Sequence, residues 1–293
     1  MTSSSLCHAV APAQAYFICP GYIGGLSTAL QNAVDKPLIP VTADFVSNIN
    51  QLHKDVSMNI IGGNEVTPHT RPYMALMQPK FCGAALIAPK WILTAAHCYV
   101  DASSFVILGA HRLTHTLGQQ KIKIKQGIKY PEYEKDDRFN DIQLLELEKP
   151  AMLNEFVALL PLPKSKENIT TGKICSVAGW GITDFKKKSS SDVLLEVMLA
   201  IVDNEICEEK YKKIKQRIID SMICAKAPNK NHKADTCAGD SGGPLICDGK
   251  YVGLVSFGPK ECGASDLPGV YTRLTDNYLK WIQNTIWRDY SEM

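Results

Sequence analysis

The feature that most constrains this fold is a set of three polar segments that lie far apart in the chain. Residues 239–244 read Gly-Asp-Ser-Gly-Gly-Pro, which predicts a tight turn that exposes the Ser241 hydroxyl beside two backbone amides. Residues 94–98 read Thr-Ala-Ala-His-Cys, and residues 140–142 read Asn-Asp-Ile. A serine hydroxyl becomes a good nucleophile only when an imidazole accepts its proton and a carboxylate orients that imidazole. The fold must therefore bring His97, Asp141 and Ser241 together.

The order of these residues along the chain narrows the choice of family. Subtilisins and α/β-hydrolases carry the same three groups in other orders. From Ile60 to about Trp287 the chain resembles the chymotrypsin-like serine proteases, and among them the granzymes. The resemblance implies that His97 is the base, Asp141 the orienting carboxylate and Ser241 the nucleophile. It also implies that the amides of Gly239 and Ser241 form the oxyanion hole.

The rest of the chain after Ile60 is typical of an all-β protein. Short β-branched and aromatic runs alternate with Gly, Pro and Asn turns, and residues 121–125 read Lys-Ile-Lys-Ile-Lys, the pattern of a half-exposed strand. The family resemblance implies two six-stranded antiparallel β-barrels with a C-terminal helix. We expect the first barrel at about 60–165, the second at about 166–275 and the helix at about 276–288, with 161–172 as linker.

The cysteine content indicates an oxidising compartment. Ten cysteines occur, of which two precede Ile60 and eight follow it, an even number that suits four disulfides. Free thiols and a zinc site remain alternatives, although no CxxC pair supports a metal. Sequence alone leaves the pairing open. The resemblance implies Cys82 with Cys98, Cys175 with Cys247, Cys207 with Cys224, and Cys237 with Cys262.

Residues 1–59 differ from the remainder, and we interpret them as a leader or pro-region of low order. Several prolines and glycines interrupt the apolar stretch at residues 9–30, and no basic residue precedes it, so it is a poor signal peptide. Residues 60–63 read Ile-Ile-Gly-Gly and resemble the mature N-terminus of the family. The resemblance implies that a new Ile60 ammonium pairs with Asp240, so that the uncut chain is an inactive zymogen.

The residues that precede and follow the serine loop suggest a preference for basic substrates. Asp235 lies six residues before Ser241, where the trypsin-like branch of the family places a carboxylate at the base of its primary pocket. Gly258 and Gly269 match the small wall positions, and Ser256, Phe257 and Gly258 match the stretch that pairs with the substrate backbone. We therefore predict cleavage after Lys or Arg. An exposed loop aspartate is the alternative for Asp235.

Outside the cleft the sequence predicts few partners. The net charge is only +2, so the composition does not argue for a nucleic-acid partner. The lysine clusters are either solvated faces or, as the granzyme resemblance implies, a docking surface for sulfated proteoglycan. We predict no cofactor and no metal, because no acidic residue occurs between Ala110 and Pro131, where trypsin binds calcium. Asn168 begins a glycosylation sequon. No odd cysteine remains after Ile60, which favours a monomer or a non-covalent dimer.

The resemblance implies a secreted or granule-stored endopeptidase with a role in cytolysis and immune defence, and a serpin-type inhibitor as a further partner. Two alternatives remain open at this point. One is a non-catalytic, proteoglycan-binding or antimicrobial protein on the same fold. The other is a digestive trypsin, against which Asn59 counts because it offers no basic residue before the cut.

Overall fold

A computed structural model describes residues 63–184, 189–228, 235–259, 262 and 266–291. The sequence predictions for residues 1–59, for Ile60 and for the lysines at 186–188 lie outside the described residues. Within the described part, no helix is long and apolar enough to cross a bilayer.

The first half of the fold is a closed six-stranded antiparallel barrel. Its strands are β2 (Met74–Gln78), β3 (Cys82–Ala88), β4 (Trp91–Thr94), β5 (Phe105–Leu108), β6 (Gln120–Lys129) and β7 (Gln143–Leu147), in the spatial order β2-β3-β4-β7-β6-β5. As predicted, β6 alternates: Ile122 and Ile124 are buried, whereas the lysines at 121, 123 and 125 are exposed. The period of two thus sorts apolar and charged side chains onto opposite faces.

The second half is also a six-stranded antiparallel barrel. Its strands are β8 (Ile174–Gly179), β11 (Leu195–Val202), β12 (Met222–Lys226), β13 (Pro244–Cys247), β14 (Lys250–Phe257) and β15 (Gly269–Arg273), and pairing of β11 with β8 closes the ring. The short strand β1 (Asn64–Glu65) pairs with β11 although it precedes the first barrel in the chain. A separate hairpin joins β9 (Ile182–Asp184) to β10 (Ser189–Ser190). The expected two-barrel fold class is confirmed.

Two helices complete the fold. Helix α1 (Asn204–Lys212) begins after Asp203, whose carboxylate accepts from the amides of Glu205 and Ile206. Helix α2 (Asp276–Ser291) begins where the Thr275 hydroxyl accepts from the Tyr278 amide. Although α2 is the last element in the chain, its side chains of Tyr278, Leu279 and Ile282 pack into the core of the first barrel. This helix therefore ties the end of the second half to the first half.

Four disulfides crosslink the described residues, in the pairing that the resemblance implied. They are Cys82–Cys98, Cys175–Cys247, Cys207–Cys224 and Cys237–Cys262. One lies within the first barrel and three lie within the second half. The segment 161–172, expected as the linker, contains no strand or helix.

Candidate active site

His97 and Asp141 are adjacent because the strands that lead to them are paired. Strand β4 ends at Thr94, which pairs with Gln143 at the start of β7. His97 therefore lies just beyond one strand end, and Asp141 just before the neighbouring strand start. The Gln143 side chain fixes this corner, because its Nε2 donates to the carbonyl oxygens of Ala95 at 2.8 Å and Cys98 at 2.6 Å.

The Asp141 carboxylate is fully buried and held by several donors. Its Oδ1 accepts from the His97 amide at 2.9 Å, and its Oδ2 accepts from His97 Nδ1 at 2.7 Å and from the Ser256 hydroxyl at 2.5 Å. The Thr272 hydroxyl donates to the Asp141 backbone carbonyl. Since Nδ1–H points at the carboxylate, Nε2 of His97 is left as the proton acceptor.

Ser241 lies on a loop that requires glycine at two positions. Gly239 and Gly242 have φ of 102° and 80°, in the left-handed region that side chains other than glycine rarely adopt. A Cβ on Gly242 would lie 2.0 Å from the Thr94 hydroxyl oxygen and 2.5 Å from the Gly83 carbonyl oxygen. Gly242 is thus one point at which the serine loop of the second half touches the first barrel.

The same contact region brings Ser241 close to His97. Cys98 Sγ lies 3.7 Å from the Ser241 carbonyl oxygen, and it lies within 4.8 Å of a His97 ring nitrogen. Within the described residues, the Ser241 hydroxyl and the His97 ring form no hydrogen bond with each other. The structure therefore brings the two segments together without closing that contact.

Two backbone amides of the loop that carries Ser241 form no hydrogen bond with the described residues. Asp240 N donates to the Cys237 carbonyl, Gly242 N to Val255 and Gly243 N to Asp240, which fixes the turn. The amides of Gly239 and Ser241 donate to no described residue. Two such donors on a rigid turn can receive an oxyanion.

The side chain of Asp240 is fully buried behind this loop. Its carboxylate accepts from the amides of Gly181 at 2.9 Å and Cys237 at 3.0 Å. Burial raises the pKa of Asp240 to about 6, although these two hydrogen bonds oppose the rise. A Cβ on Gly179 or Gly181 would lie 2.1 Å or 2.5 Å from atoms of this carboxylate. The sequence analysis missed both glycines, since nothing local to them signals the approach of Asp240.

Asp235 lies with the two predicted wall glycines. It is 6% exposed, and its Oδ1 lies 3.5 Å from the position of a Cβ on Gly269, while a Cβ on Gly258 would contact the Gly269 Cα at 3.7 Å. Burial raises the pKa of Tyr271, and the charge of Asp235 raises it further. The alternative of an exposed loop aspartate does not fit this burial.

The structure adds a second function for Ser256 and adds Arg138 to the site. The register of β14 against β15 shifts between Val255 and Phe257, so Ser256 is at a β-bulge that turns its hydroxyl to Asp141. The sequence analysis assigned Ser256 only to the binding of the substrate backbone.

Arg138 also lies at the site. Its backbone φ is 57°, and its Nη1 lies 3.8 Å from Asp141 Oδ2. No motif pointed to Arg138.

Two further features bear on glycosylation and on metal binding. Asn168 is exposed, as a glycosylation acceptor must be. Cys82, His97 and Cys98 cluster as three potential metal ligands in the described part of the chain, but the two sulfurs form a disulfide and offer no thiolate. These residues therefore do not fit a metal.

Comparison with known proteins agrees with this geometry. The trypsin family model matches residues 60–282. Granzyme A of Bos taurus is 43% identical over 230 residues, which cover 78% of this chain and 88% of that protein. Mast cell protease 3 of Ovis aries is 42% identical over 234 residues, which cover 78% of this chain and 89% of that protein. The structure of neuropsin, a serine protease expressed in the limbic system of mouse brain, superposes with a TM-score of 0.69 at 34% identity, covering 76% of this chain and 98% of that one. The chain therefore belongs to the trypsin family of serine endopeptidases.

Proposed function

We propose that this protease cleaves peptide bonds after Lys or Arg through an acyl-enzyme, with Ser241 as nucleophile, His97 as general base and acid, and Asp141 as the group that orients His97. The observation that carries the proposal is the buried Asp141 carboxylate, which holds the imidazole through Nδ1 at 2.7 Å and leaves Nε2 as the proton acceptor.

In the first step, Ser241 Oγ attacks the substrate carbonyl carbon while its proton passes to His97 Nε2. Negative charge on the carbonyl oxygen meets the amides of Gly239 and Ser241, each worth about 3 to 4 kcal/mol in the transition state. The imidazolium then protonates the leaving amine. Water, activated by the same imidazole, hydrolyses the acyl-enzyme and restores Ser241.

The proposed preference for basic residues rests on Asp235. A buried carboxylate with small glycine walls favours a long cationic side chain, because the ligand's charge offsets the cost of burial. We expect Asp235→Ser to reduce kcat/KM for a lysine or arginine thioester by about 10⁴-fold. Phe257 and the backbone of Ser256 to Gly258 would bind the substrate chain as an added strand.

Activation is proposed to follow cleavage after Asn59. The new ammonium of Ile60 would supply the cation that buried Asp240 lacks among the described residues, and it would stabilise the loop that carries Ser241. In this proposal residues 1–59 form the leader and residues 60–293 form the protease domain.

We also propose a secreted or granule location, which four disulfides suit. A serpin-type inhibitor, glycosylation at Asn168 and a role in cytolysis remain proposals drawn from the granzyme resemblance.

The direct test uses a chain in which an enteropeptidase recognition sequence precedes Ile60. After cleavage, we expect hydrolysis of lysine and arginine thioesters, little hydrolysis of a phenylalanine thioester, and an adduct of a fluorophosphonate with Ser241 detected by mass spectrometry. The uncut chain and Ser241→Ala serve as controls. A cleaved, folded sample that forms no adduct would overturn the proposal.

A second candidate function is a non-catalytic one, binding of sulfated proteoglycan, and one observation favours such a surface. The exposed lysines at 121, 123 and 125 form a row on β6. Salt-sensitive retention on heparin, weakened by Lys121→Glu and Lys123→Glu together, would support this surface. If the cleaved chain binds heparin but hydrolyses nothing, the non-catalytic function replaces the enzymatic one.

A further inference from the structure

A cavity among the described residues lies away from the candidate active site. It has a volume of about 660 Å³ and opens between the end of strand β6 and helix α2. None of the residues assigned to catalysis or to the primary pocket lines it. Trp91 and Glu146, each 1% exposed, lie at its floor, and Trp281 and Tyr130 form aromatic walls.

The charges around this cavity are unbalanced. Glu146 is its one acidic lining residue, and Lys125 Nζ at 2.6 Å, Gln126 Nε2 at 2.7 Å and Lys90 Nζ at 3.7 Å surround that carboxylate. Burial acts to raise the pKa of Glu146, but the hydrogen bonds from Lys125 and Gln126, together with the charges of Lys125 and Lys90, lower it overall. The carboxylate is thus ionised and already compensated.

Two further lysines remain at the rim. Lys129 and Lys280 are exposed and line the cavity, and neither forms an ion pair with a described residue. Lys129 lies 5.1 Å from the centroid of the Tyr133 ring. The rim therefore carries surplus positive charge, which complements an anionic ligand.

The walls add an apolar component. Ile128 and the half-buried rings of Tyr130 and Trp281 line the cavity, and the two rings meet edge to face at 5.3 Å. These side chains offer an apolar surface beside the charged rim.

We propose that this cavity is a docking site for an acidic peptide segment of a protein substrate, with an apolar side chain against Trp281 and Tyr130 and its carboxylates at Lys129 and Lys280. A sulfated glycan fits less well, because a polyanion needs a long row of cations, which the flat face of β6 offers and this concave site does not. The role of this site in substrate choice rests on the proposed endopeptidase function, whereas binding of the acidic segment itself does not.

The site is also connected to the segment that carries Asp141. Tyr130 N donates to the Ile142 carbonyl at 3.0 Å, and Tyr278, which packs against Tyr130, donates its hydroxyl proton to Asn140 Oδ1 at 2.6 Å. A bound segment would therefore contact the outer side of the strand junction whose inner side faces the catalytic groups. We expect docking to lower KM for a protein substrate while kcat stays constant.

The binding test does not require activity. A fluorescein-labelled dodecapeptide of Asp, Glu and Leu is titrated with the Ser241→Ala chain, and fluorescence anisotropy gives Kd. We expect Lys280→Glu and Lys129→Glu each to weaken binding at least about fivefold. Asn284→Trp, which fills the mouth without a charge change, should abolish binding. Lys226→Glu, an exposed lysine in the second barrel, is the control with the same charge change and should have no effect beyond about twofold.

Three outcomes would overturn the docking site: equal binding by the parent and all the variants, equal loss with Lys226→Glu, or a heparin octasaccharide that binds at Lys280 where the peptide does not. Thermal unfolding of each variant checks that it is folded. In the cleaved enzyme, Lys280→Glu should raise KM only for a substrate that carries the acidic tail and leave a thioester unaffected. Loss of thioester hydrolysis in the parent would instead refute the proposed function.

Discussion

The two barrels hold their parts of the active site in different ways. The first barrel presents His97 and Asp141 at the adjacent ends of two paired strands, β4 and β7, and Gln143 fastens the corner from within the sheet. The second barrel presents Ser241 on an irregular loop whose shape depends on two left-handed glycines, a buried Asp240 and the Cys237–Cys262 disulfide. One half thus uses regular pairing, whereas the other half uses local constraints.

This difference indicates which part of the active site can change between an inactive and an active arrangement. Strand register is set when the barrel forms, so His97 and Asp141 are in place once the core has folded. The serine loop depends on one buried carboxylate with no described cation beside it, and its stability therefore responds to a new charge. The maturation proposed above would therefore act on the second half and leave the first unchanged.

The largest effect should come from removing either reacting group. Ser241→Ala and His97→Ala should each reduce kcat of the cleaved enzyme by about 10⁵- to 10⁶-fold, because nucleophile and base act as one unit. The double variant should be no worse than either single one. Steady-state hydrolysis of an arginine thioester measures this, and additive losses would show that the halves work independently.

A smaller loss is expected at the contact between the halves. Asp141→Asn should reduce kcat by about 10⁴-fold, since the amide favours the wrong imidazole tautomer. Ser256→Ala removes only the hydrogen bond from the Ser256 hydroxyl to the Asp141 carboxylate, and we expect kcat to fall about tenfold. The pH profile of kcat should change for Ser256→Ala, whereas Ser191→Ala, whose hydroxyl bonds within its own loop, is the control and should leave it unchanged.

Asp240 should give opposite results before and after cleavage. Its pKa is raised from 3.8 to about 6, so the folded uncut chain holds a proton between pH 4 and 6 that the unfolded chain has lost. Stability contributed by this proton is present at pH 4 and is lost as the pH rises through 6. Relative to the parent, the free energy of unfolding of Asp240→Asn should therefore rise by about 2 kcal/mol between pH 4 and pH 6.

Urea unfolding of the uncut chain at pH 4, 5, 6 and 7 measures that gain, with the exposed Asp136→Asn as control. A difference between Asp240→Asn and the parent that stays constant with pH would contradict the assignment. In the cleaved chain the same substitution should abolish activity, because in the proposed activation the Ile60 ammonium would lose its partner.

The smallest difference concerns the disulfides of the two halves. Cys175–Cys247 closes a loop with a sequence separation of 72, and Cys82–Cys98 one of 16. Replacing both cysteines of a pair by Ala should cost about 4 kcal/mol for the longer loop and about 3 kcal/mol for the shorter one. Urea unfolding at neutral pH gives both values, and a larger cost for the shorter loop would show that strain or packing outweighs loop entropy.

Several elements could be predicted from sequence because their signal is local. The alternation at 121–125 predicted β6, and the apolar spacing after Thr275 predicted α2. The motifs around His97, Asp141 and Ser241 identified the site because their residue types and their order along the chain match those of the family. Gly179, Gly181 and Gln143 could not be found in this way, since their partners lie 45 to 61 positions away and no local pattern encodes that distance.

The amino-acid sequence by itself determined which chemical groups the protein carries, how its strands alternate and which family it resembles, because these properties depend on residue type and short spacing. Only the tertiary structure decided that the Ser256 hydroxyl reaches Asp141 through a bulge, that the last helix packs on the first barrel, and that a lysine-rimmed cavity opens beside it. Those features arise from strand register and long-range packing, where many weak contacts act together and no single segment specifies the result.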